Sequence, residues 1–156
     1  MEVSISEQTL RLYQNDRCLK SYPISTAKNG ASEISGSGGT PRGQHYIRAK
    51  IGAGCAANSV FVGRRPTGEI FNPQLQQQFP QRDWILSRIL WLCGKEPGKN
   101  RLGQVDSMRR YIYIHGTPDS EPMGTPLSHG CIRMRNDDII KLFDLIPPYC
   151  AINILE

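Results

Sequence analysis

Apolar residues near the start of this chain fall at every second position, in runs short enough to build only small strands: Val3/Ile5, Leu10/Leu12 and Tyr22/Ile24. A strand turns successive side chains to opposite faces, so each run offers one apolar face to a core. Polar breaks at Ser6-Glu7-Gln8 and Asn15-Asp16 separate the runs and predict short antiparallel strands joined by tight turns. Fifteen Gly and eleven Pro in 156 residues punctuate the rest, which points to a strand-rich and loop-rich chain rather than a helix bundle. A length near 150 residues buries roughly two-thirds of its unfolded surface, enough for one domain with one core.

Further along, Gly36-Ser37-Gly38-Gly39 reads as a flexible loop, since no Lys-Ser/Thr follows in phosphate-cradling register. A strand is expected from Gln44 to about Ile51. Residues 64–83 show no sustained period and read as a long polar excursion, a kind of segment that often serves as a lid or binding loop. Trp84–Leu92 is dense in aromatic, β-branched and leucine residues and predicts a central strand, with a buried helix as the alternative. A second polar loop runs from Gly94 to Met108. Arg110–His115 then alternates, placing Tyr111, Tyr113 and His115 on one face and Ile112 and Ile114 on the other. The one expected helix starts at Asn136 as N-cap, with Asp137 and Asp138 complementing its dipole and Ile139/Ile140/Phe143/Ile146 as its apolar stripe up to Pro147-Pro148. A strand over Tyr149–Leu155 closes a single domain, residues 1–156, of mainly β class, without internal repeats.

A net charge of +5 favours anionic partners. The 19 Lys and Arg are scattered, however, and no nucleic-acid-binding motif accompanies them, so nucleic acid is not expected as a partner. The longest apolar run, Ile89–Cys93, is far shorter than the roughly 20 residues needed to cross a bilayer, so no membrane partner is expected either. Met1–Glu7 carries two acids and no apolar stretch, unlike a secretory signal, and the expected location is the cytoplasm, or the periplasm only by an export route not written in these residues. The five cysteines (Cys18, Cys55, Cys93, Cys131 and Cys150) are odd in number, widely spaced and without a CxxC pair, which speaks against a disulfide scaffold. Cys18, Cys93 and Cys150 lie among strand-like neighbours and read as small buried hydrophobes.

Cys131 stands apart because His115 and His129 both fall within sixteen residues of it, in His115-Gly116 and Ser128-His129-Gly130-Cys131-Ile132-Arg133. A free thiol is mostly protonated at neutral pH, so a nucleophilic cysteine needs a base or a positive environment beside it. Histidine titrates in the range suited to taking that proton and returning it. Gly130 permits a sharp bend, and the amides of Gly130 and Cys131 are placed to face a developing oxyanion. If the chain is extended from Cys131 onward, Arg133 and Arg135 share the thiol's side while Ile132 and Met134 turn to the core. Arg133 is then placed to clamp a substrate carboxylate and hold the thiol in a cationic field. Two other readings stay open. Cys131 could be an inert core thiol beside two hydrogen-bonding histidines, or His115, His129 and Cys131 could be three zinc ligands, although no short zinc-type spacing is present. His45, far away on its own strand, reads as structural.

At these residues the chain resembles the L,D-transpeptidase (YkuD-like) family, whose signature is a histidine followed at some distance by Ser/Thr-His-Gly-Cys-apolar-Asn/Arg. Thr40-Pro41-Arg42-Gly43 resembles a Thr-Pro-x-Gly element of the same domain, and the opening hairpins match its first strands. The resemblance implies a β-sandwich-like fold, Cys131 as nucleophile, His115 as base and the Gly116 carbonyl orienting the imidazole. It places His129 in the oxyanion region with the amides of Gly130 and Cys131; no metal or cofactor is expected. Many members carry Asn at the position of Arg133. On charge grounds Arg133, with Arg109 and Arg110, is expected to contact substrate, and Ser128 is a further candidate for substrate contact. The implied reaction cleaves the bond between an L-centre and D-alanine in peptidoglycan tetrapeptide stems through a thioester. Hydrolysis as an L,D-carboxypeptidase trimming soluble muropeptides during recycling is the expected outcome, and cross-linking or D-amino-acid exchange the alternative. Carbapenem-type β-lactams are implied as acylating inhibitors. A module that binds stem peptides without turnover is a further possibility from the same residues.

Overall fold

In the computed structural model, which describes residues 1–156, the short alternating runs become ten strands and two helices. The chain opens with β1 (Glu2–Ser4), β2 (Thr9–Gln14) and β3 (Arg17–Pro23), and continues through β4 (Gly43–Ile51), β5 (Ser59–Val62) and β6 (Arg65–Ile70). After α1 (Pro73–Gln78) comes the long β7 (Ile85–Gly94), then β8 (Tyr113–Gly116), β9 (Ile132–Met134), α2 (Asn136–Leu145) and β10 (Ala151–Leu155). Hydrogen bonds link all ten strands into one mixed sheet in the order β3-β2-β1-β10-β4-β7-β5-β6, while β8 pairs with β7 and carries β9 on its far side. The β1/β10 and β8/β9 pairs are parallel and the others antiparallel.

A single cluster of 18 buried residues draws on β1, β2, β3, β4, β7, β8, β9, β10 and α2. Strands so far apart in the sheet order can share a core only because the sheet curves around it, which is how one sheet achieves the expected sandwich-like packing. Burying each Ile or Leu of this cluster contributes about 1.5–3 kcal/mol. The α2 stripe facing it is Ile139, Leu142 and Phe143, with Ile146 just beyond, and Ile140 is only half-buried.

Several expectations need correction. Residues 64–83 are not one irregular excursion, because they hold β6 and α1. β6 is almost wholly exposed and contains Pro66, so it has no apolar face for alternation to reveal. The signal for α1 was its cap: the Asn72 side chain accepts from the Leu75 amide (2.8 Å), with Pro73 in the first turn. Tyr111 and Ile112 lie outside β8, and Tyr111 has a positive φ of 56°. Cys18 is exposed and Cys150 half-buried, leaving Cys93 as the buried small hydrophobe.

Asn136 is the most instructive difference. Expected as the N-cap of α2, it is instead its first helical residue, and it is buried. Its Oδ1 accepts from Ser87 Oγ (2.5 Å) and its Nδ2 donates to the Thr117 carbonyl (2.8 Å). Ser87 has φ 67° at an irregularity of β7, so one amide braces the kinked central strand and the end of β8 together. Removing it strands a buried hydroxyl and a buried carbonyl. Asn136→Ala should therefore lower stability by about 1–3 kcal/mol, read as a lower midpoint in urea or thermal unfolding.

Candidate active site

β8 lies between β7 and β9 in the sheet, with His115 opposite Ile89 on one side and Arg133 on the other. Because the β8/β9 pair is parallel and in register, His115 and Arg133 point to the same face. Cys131 sits two residues before Arg133 and takes that face as well. The thiol packs against a small cluster of Phe61, Ile89 and Tyr113, the last two residues before His115 on the same face. The fold thus brings Cys131, immediately before β9, and His115 on the adjacent β8 into diagonal positions.

His115 is buried, and its Nδ1 hydrogen-bonds the Gly116 carbonyl (2.7 Å). A carbonyl only accepts, so Nδ1 carries the proton and Nε2 keeps the lone pair of the neutral ring. Burial holds the imidazole below its ordinary pKa, the Gly116 bond opposing weakly. Gly116 must be glycine here. A Cβ would meet Asn136 Oδ1 at 2.5 Å and the Leu86 carbonyl at 2.6 Å.

The Cys131 thiol donates to the Tyr111 carbonyl (3.5 Å) and accepts from the Tyr113 amide (3.4 Å), and makes no hydrogen bond to His115 in this conformation. Burial pushes it up to about 12, against the Tyr113 bond, which favours the thiolate. Cysteine and histidine thus rest as a neutral pair.

The loop before the thiol is held from inside the protein. Gly130 has φ 128° and lies 3.2 Å, at its would-be Cβ, from the Gly39 carbonyl. Its carbonyl accepts from buried Thr40 Oγ1 (3.0 Å), so the Thr40-Pro41-Arg42-Gly43 element braces this loop directly. Ser128 is buried, receives the Gly130 amide on its hydroxyl (3.2 Å) and donates to the Cys131 carbonyl. Its hydroxyl closes the turn, a different job from the expected substrate contact. With the Gly130 amide taken, the Cys131 amide, which donates to no protein group, is the one left of the two expected oxyanion donors.

The remaining candidates divide similarly. Arg110 spends its guanidinium on the carbonyls of Ser32 (3.0 Å), Glu33 (2.8 Å) and Gly39 (2.6 Å), so it is a loop brace rather than a substrate clamp. Arg109 is exposed in a cleft of about 390 Å³ with Tyr111, Ile112 and His129. His129 is 79% exposed in its side chain and also borders a second, polar cleft of about 370 Å³ containing Arg133, Asp83, Glu121, Lys28 and Arg82. Neither cleft is lined by Cys131 or His115. His129 and His115 do not converge with Cys131 as a ligand cluster, and no group of three His, Cys, Asp or Glu could hold a metal ion. His45 is buried between the Gly43 carbonyl (2.9 Å) and Ser107 Oγ (2.8 Å), the structural part expected of it.

Arg133 is 9% exposed in its side chain, and its two terminal nitrogens already meet Asp83 (2.9 Å) and Glu121 (3.4 Å). A substrate carboxylate could reach it only by displacing one of these. Asp83 was missed at the sequence level; it ends an aperiodic stretch, and nothing local marks it. It also lies 3.7 Å from His129 Nδ1 and acts on both Cys131 and His115.

A family model described as the L,D-transpeptidase catalytic domain, YkuD, matches residues 1–154. A curated protein of Bacillus licheniformis bearing the name L,D-transpeptidase YkuD is 28% identical over 146 residues, covering 93% of this chain and 58% of that protein. Its Bacillus subtilis namesake is 27% identical over 145 residues with the same coverage. The chain therefore spans little more than half the length of these curated relatives. Among solved structures, an L,D-transpeptidase from Mycobacterium smegmatis superposes with a TM-score of 0.57 at 17% identity, over 99% of this chain and 57% of that one. The L,D-transpeptidase LdtMt1 in complex with imipenem gives 0.58 at 21% identity, over 99% and 57%. At these identities the superpositions establish the fold.

The neutral resting thiol has a direct consequence for its reactivity. Alkylation of Cys131 by iodoacetamide, followed by peptide mass mapping, should keep accelerating at pH values well above the 8.5 or so of an ordinary free thiol. A plateau near pH 8.5 would show that the thiol is not held neutral by its surroundings.

Proposed function

The chain belongs to the YkuD family of L,D-transpeptidase catalytic domains, and from that premise we propose that it forms a thioester between Cys131 and a peptidoglycan stem peptide. The observation that carries this reading is the in-register parallel pairing of β8 and β9, which sets the Cys131 thiol diagonally beside an imidazole whose Nδ1 proton is fixed on Gly116. In this reading the thiol turns from the Tyr111 carbonyl toward His115, and Nε2 takes its proton as the sulfur attacks the carbonyl between the L-centre and the terminal D-alanine. The Cys131 amide stabilises the oxyanion. Collapse breaks the C–N bond, the proton passes from His115 to the leaving amine, and D-alanine departs. The same base then deprotonates the acceptor that cleaves the thioester.

We propose water as the main acceptor, making the protein an L,D-carboxypeptidase that trims soluble muropeptides in the cytoplasm. The polar cleft beside Arg133, which also carries Lys28 and Arg82, supports binding of a carboxylate-bearing fragment next to the site. Five unpaired thiols, with Cys18 exposed, support a reducing compartment. An amine acceptor would instead give cross-links or D-amino-acid exchange by the same thioester.

Purified protein incubated with a defined tetrapeptide, with and without excess D-amino acid, should yield chiefly tripeptide by mass spectrometry; a predominance of exchange product would reverse the choice of acceptor. Imipenem should leave a covalent adduct on Cys131 that Cys131→Ala eliminates, and an adduct persisting in that variant would place the nucleophile elsewhere. His115→Gln should lower kcat by about 10²–10⁴. Since burial keeps His115 neutral to lower pH, the acid limb of kcat/KM should lie below the ordinary imidazole value of about 6.5.

A further inference from the structure

Outside the residues of the proposed reaction, the densest cluster of polar and aromatic contacts near the thiol centres on Arg64, which the sequence did not single out. It occupies the turn between β5 and β6 with φ 65°. Its guanidinium carbon lies 4.5 Å from the centre of the Trp91 ring and 4.9 Å from that of Tyr111, and Nη1 donates to the Tyr113 hydroxyl at 2.9 Å. Trp91 also meets both tyrosine rings: Trp91 and Tyr111 lie 6.4 Å apart at a tilt of 31°, and Trp91 meets Tyr113 edge-on at 6.3 Å. Trp91 Nε1 donates to the Met108 carbonyl (3.2 Å), which ties the group to the preceding loop.

Both hydrogen bonds of the Cys131 sulfur go to backbone groups of the two tyrosines in this cluster, the Tyr111 carbonyl and the Tyr113 amide. Tyr111 holds its carbonyl there from a left-handed conformation that a bulky L residue rarely adopts unless its surroundings impose it. The residue is more than half exposed, and its ring packs against the cation and the indole. We propose that Arg64 is a positioning residue for the Cys131 thiol, acting through Tyr111 and Tyr113 to fix the two backbone groups that hold the sulfur. Only a planar guanidinium can lie against two rings and donate sideways to a phenol at once. This inference rests on the reading of Cys131 as nucleophile only for its effect on acylation. The geometry of the thiol is at stake in either case.

The test compares Arg64→Ala, Arg64→Lys and Tyr113→Phe with the parent protein, using Arg65→Ala, an exposed neighbour on β6, as the control. Two readouts are taken on protein shown to be folded by its thermal midpoint: the pH profile of Cys131 alkylation by iodoacetamide, and the rate of imipenem acylation of Cys131. If Arg64 positions the strand, its loss weakens the Tyr113 N–H···S bond that favours the thiolate, so the alkylation profile moves to higher pH. Acylation should slow by on the order of tenfold to a hundredfold, the scale of an ångström-level misplacement. Lysine keeps the charge without the plane and should not restore either readout, and Tyr113→Phe should shift the profile in the same direction by less. Should Arg64→Ala fail to fold, Tyr113→Phe decides the matter alone. Superimposable profiles, or full rescue by lysine, would overturn the inference. A parent protein that imipenem does not acylate at Cys131 would instead overturn the proposed function, with the alkylation profiles still judging Arg64.

Discussion

The parallel pairing of β8 with β9 is the constraint from which the rest of the site follows. Parallel neighbours cannot be joined by a tight hairpin, so the chain must leave β8 at Gly116, cross over and return at Ile132. That return path carries Ser128, His129, Gly130 and Cys131 to the edge of the strand bearing His115. Register matters here, because a slip by one residue would exchange the faces of His115 and Ile114 and take the imidazole off the thiol's side of the sheet. The register is guarded where the strand ends: Gly116 fits against the Leu86 carbonyl and Asn136, and the side chain of Asn136 ties Thr117 to Ser87.

Electrostatically, burial favours the uncharged forms of the Cys131 thiol and the His115 imidazole. Burial depresses His115 and raises Cys131, so the thiolate–imidazolium pair is disfavoured in the free protein. The nearby cation does not reverse this, because Arg133 is matched by Asp83 and Glu121. A substrate carboxylate that displaced Asp83 would exchange one anion for another at Arg133 and leave this balance of charge as it is.

Much of this was legible in the residues. Alternation located β1–β3 and the end of the run that became β8, strands were expected where β4 and β10 lie, and apolar density located β7. β6 escaped because both its faces are wet, and α1 because its six residues carry no apolar stripe. The bond from His115 to the Gly116 carbonyl was implied by the family resemblance, and the sharp bend at Gly130 was legible from the residue type. Roles that depend on which partner reaches a side chain first were not. Ser128 and Arg110 carry the chemistry of substrate contacts, yet buried carbonyls and amides close by claimed them, as an unsatisfied buried backbone group costs more than a solvent-facing contact returns. Asp83 and Arg64 sit in stretches without period, so only the folded chain brings them to the site.

Arg110 shows how this competition shapes the site. The Gly36–Gly39 stretch reads as a flexible loop, and glycine does lower the cost of its turns. Left to itself it would also leave the carbonyls of Ser32, Glu33 and Gly39 in search of donors beside the Cys131 loop. One half-buried guanidinium supplies all three, and Glu33, held down to about 2 chiefly by Arg42, remains ionised to anchor the outer side of the same loop. The Gly39 carbonyl so fixed is the one against which Gly130 packs. A stretch that composition marks as mobile is thus turned into the rigid wall that sets the bend before Cys131, and the cation spent on that wall is one the substrate cannot use.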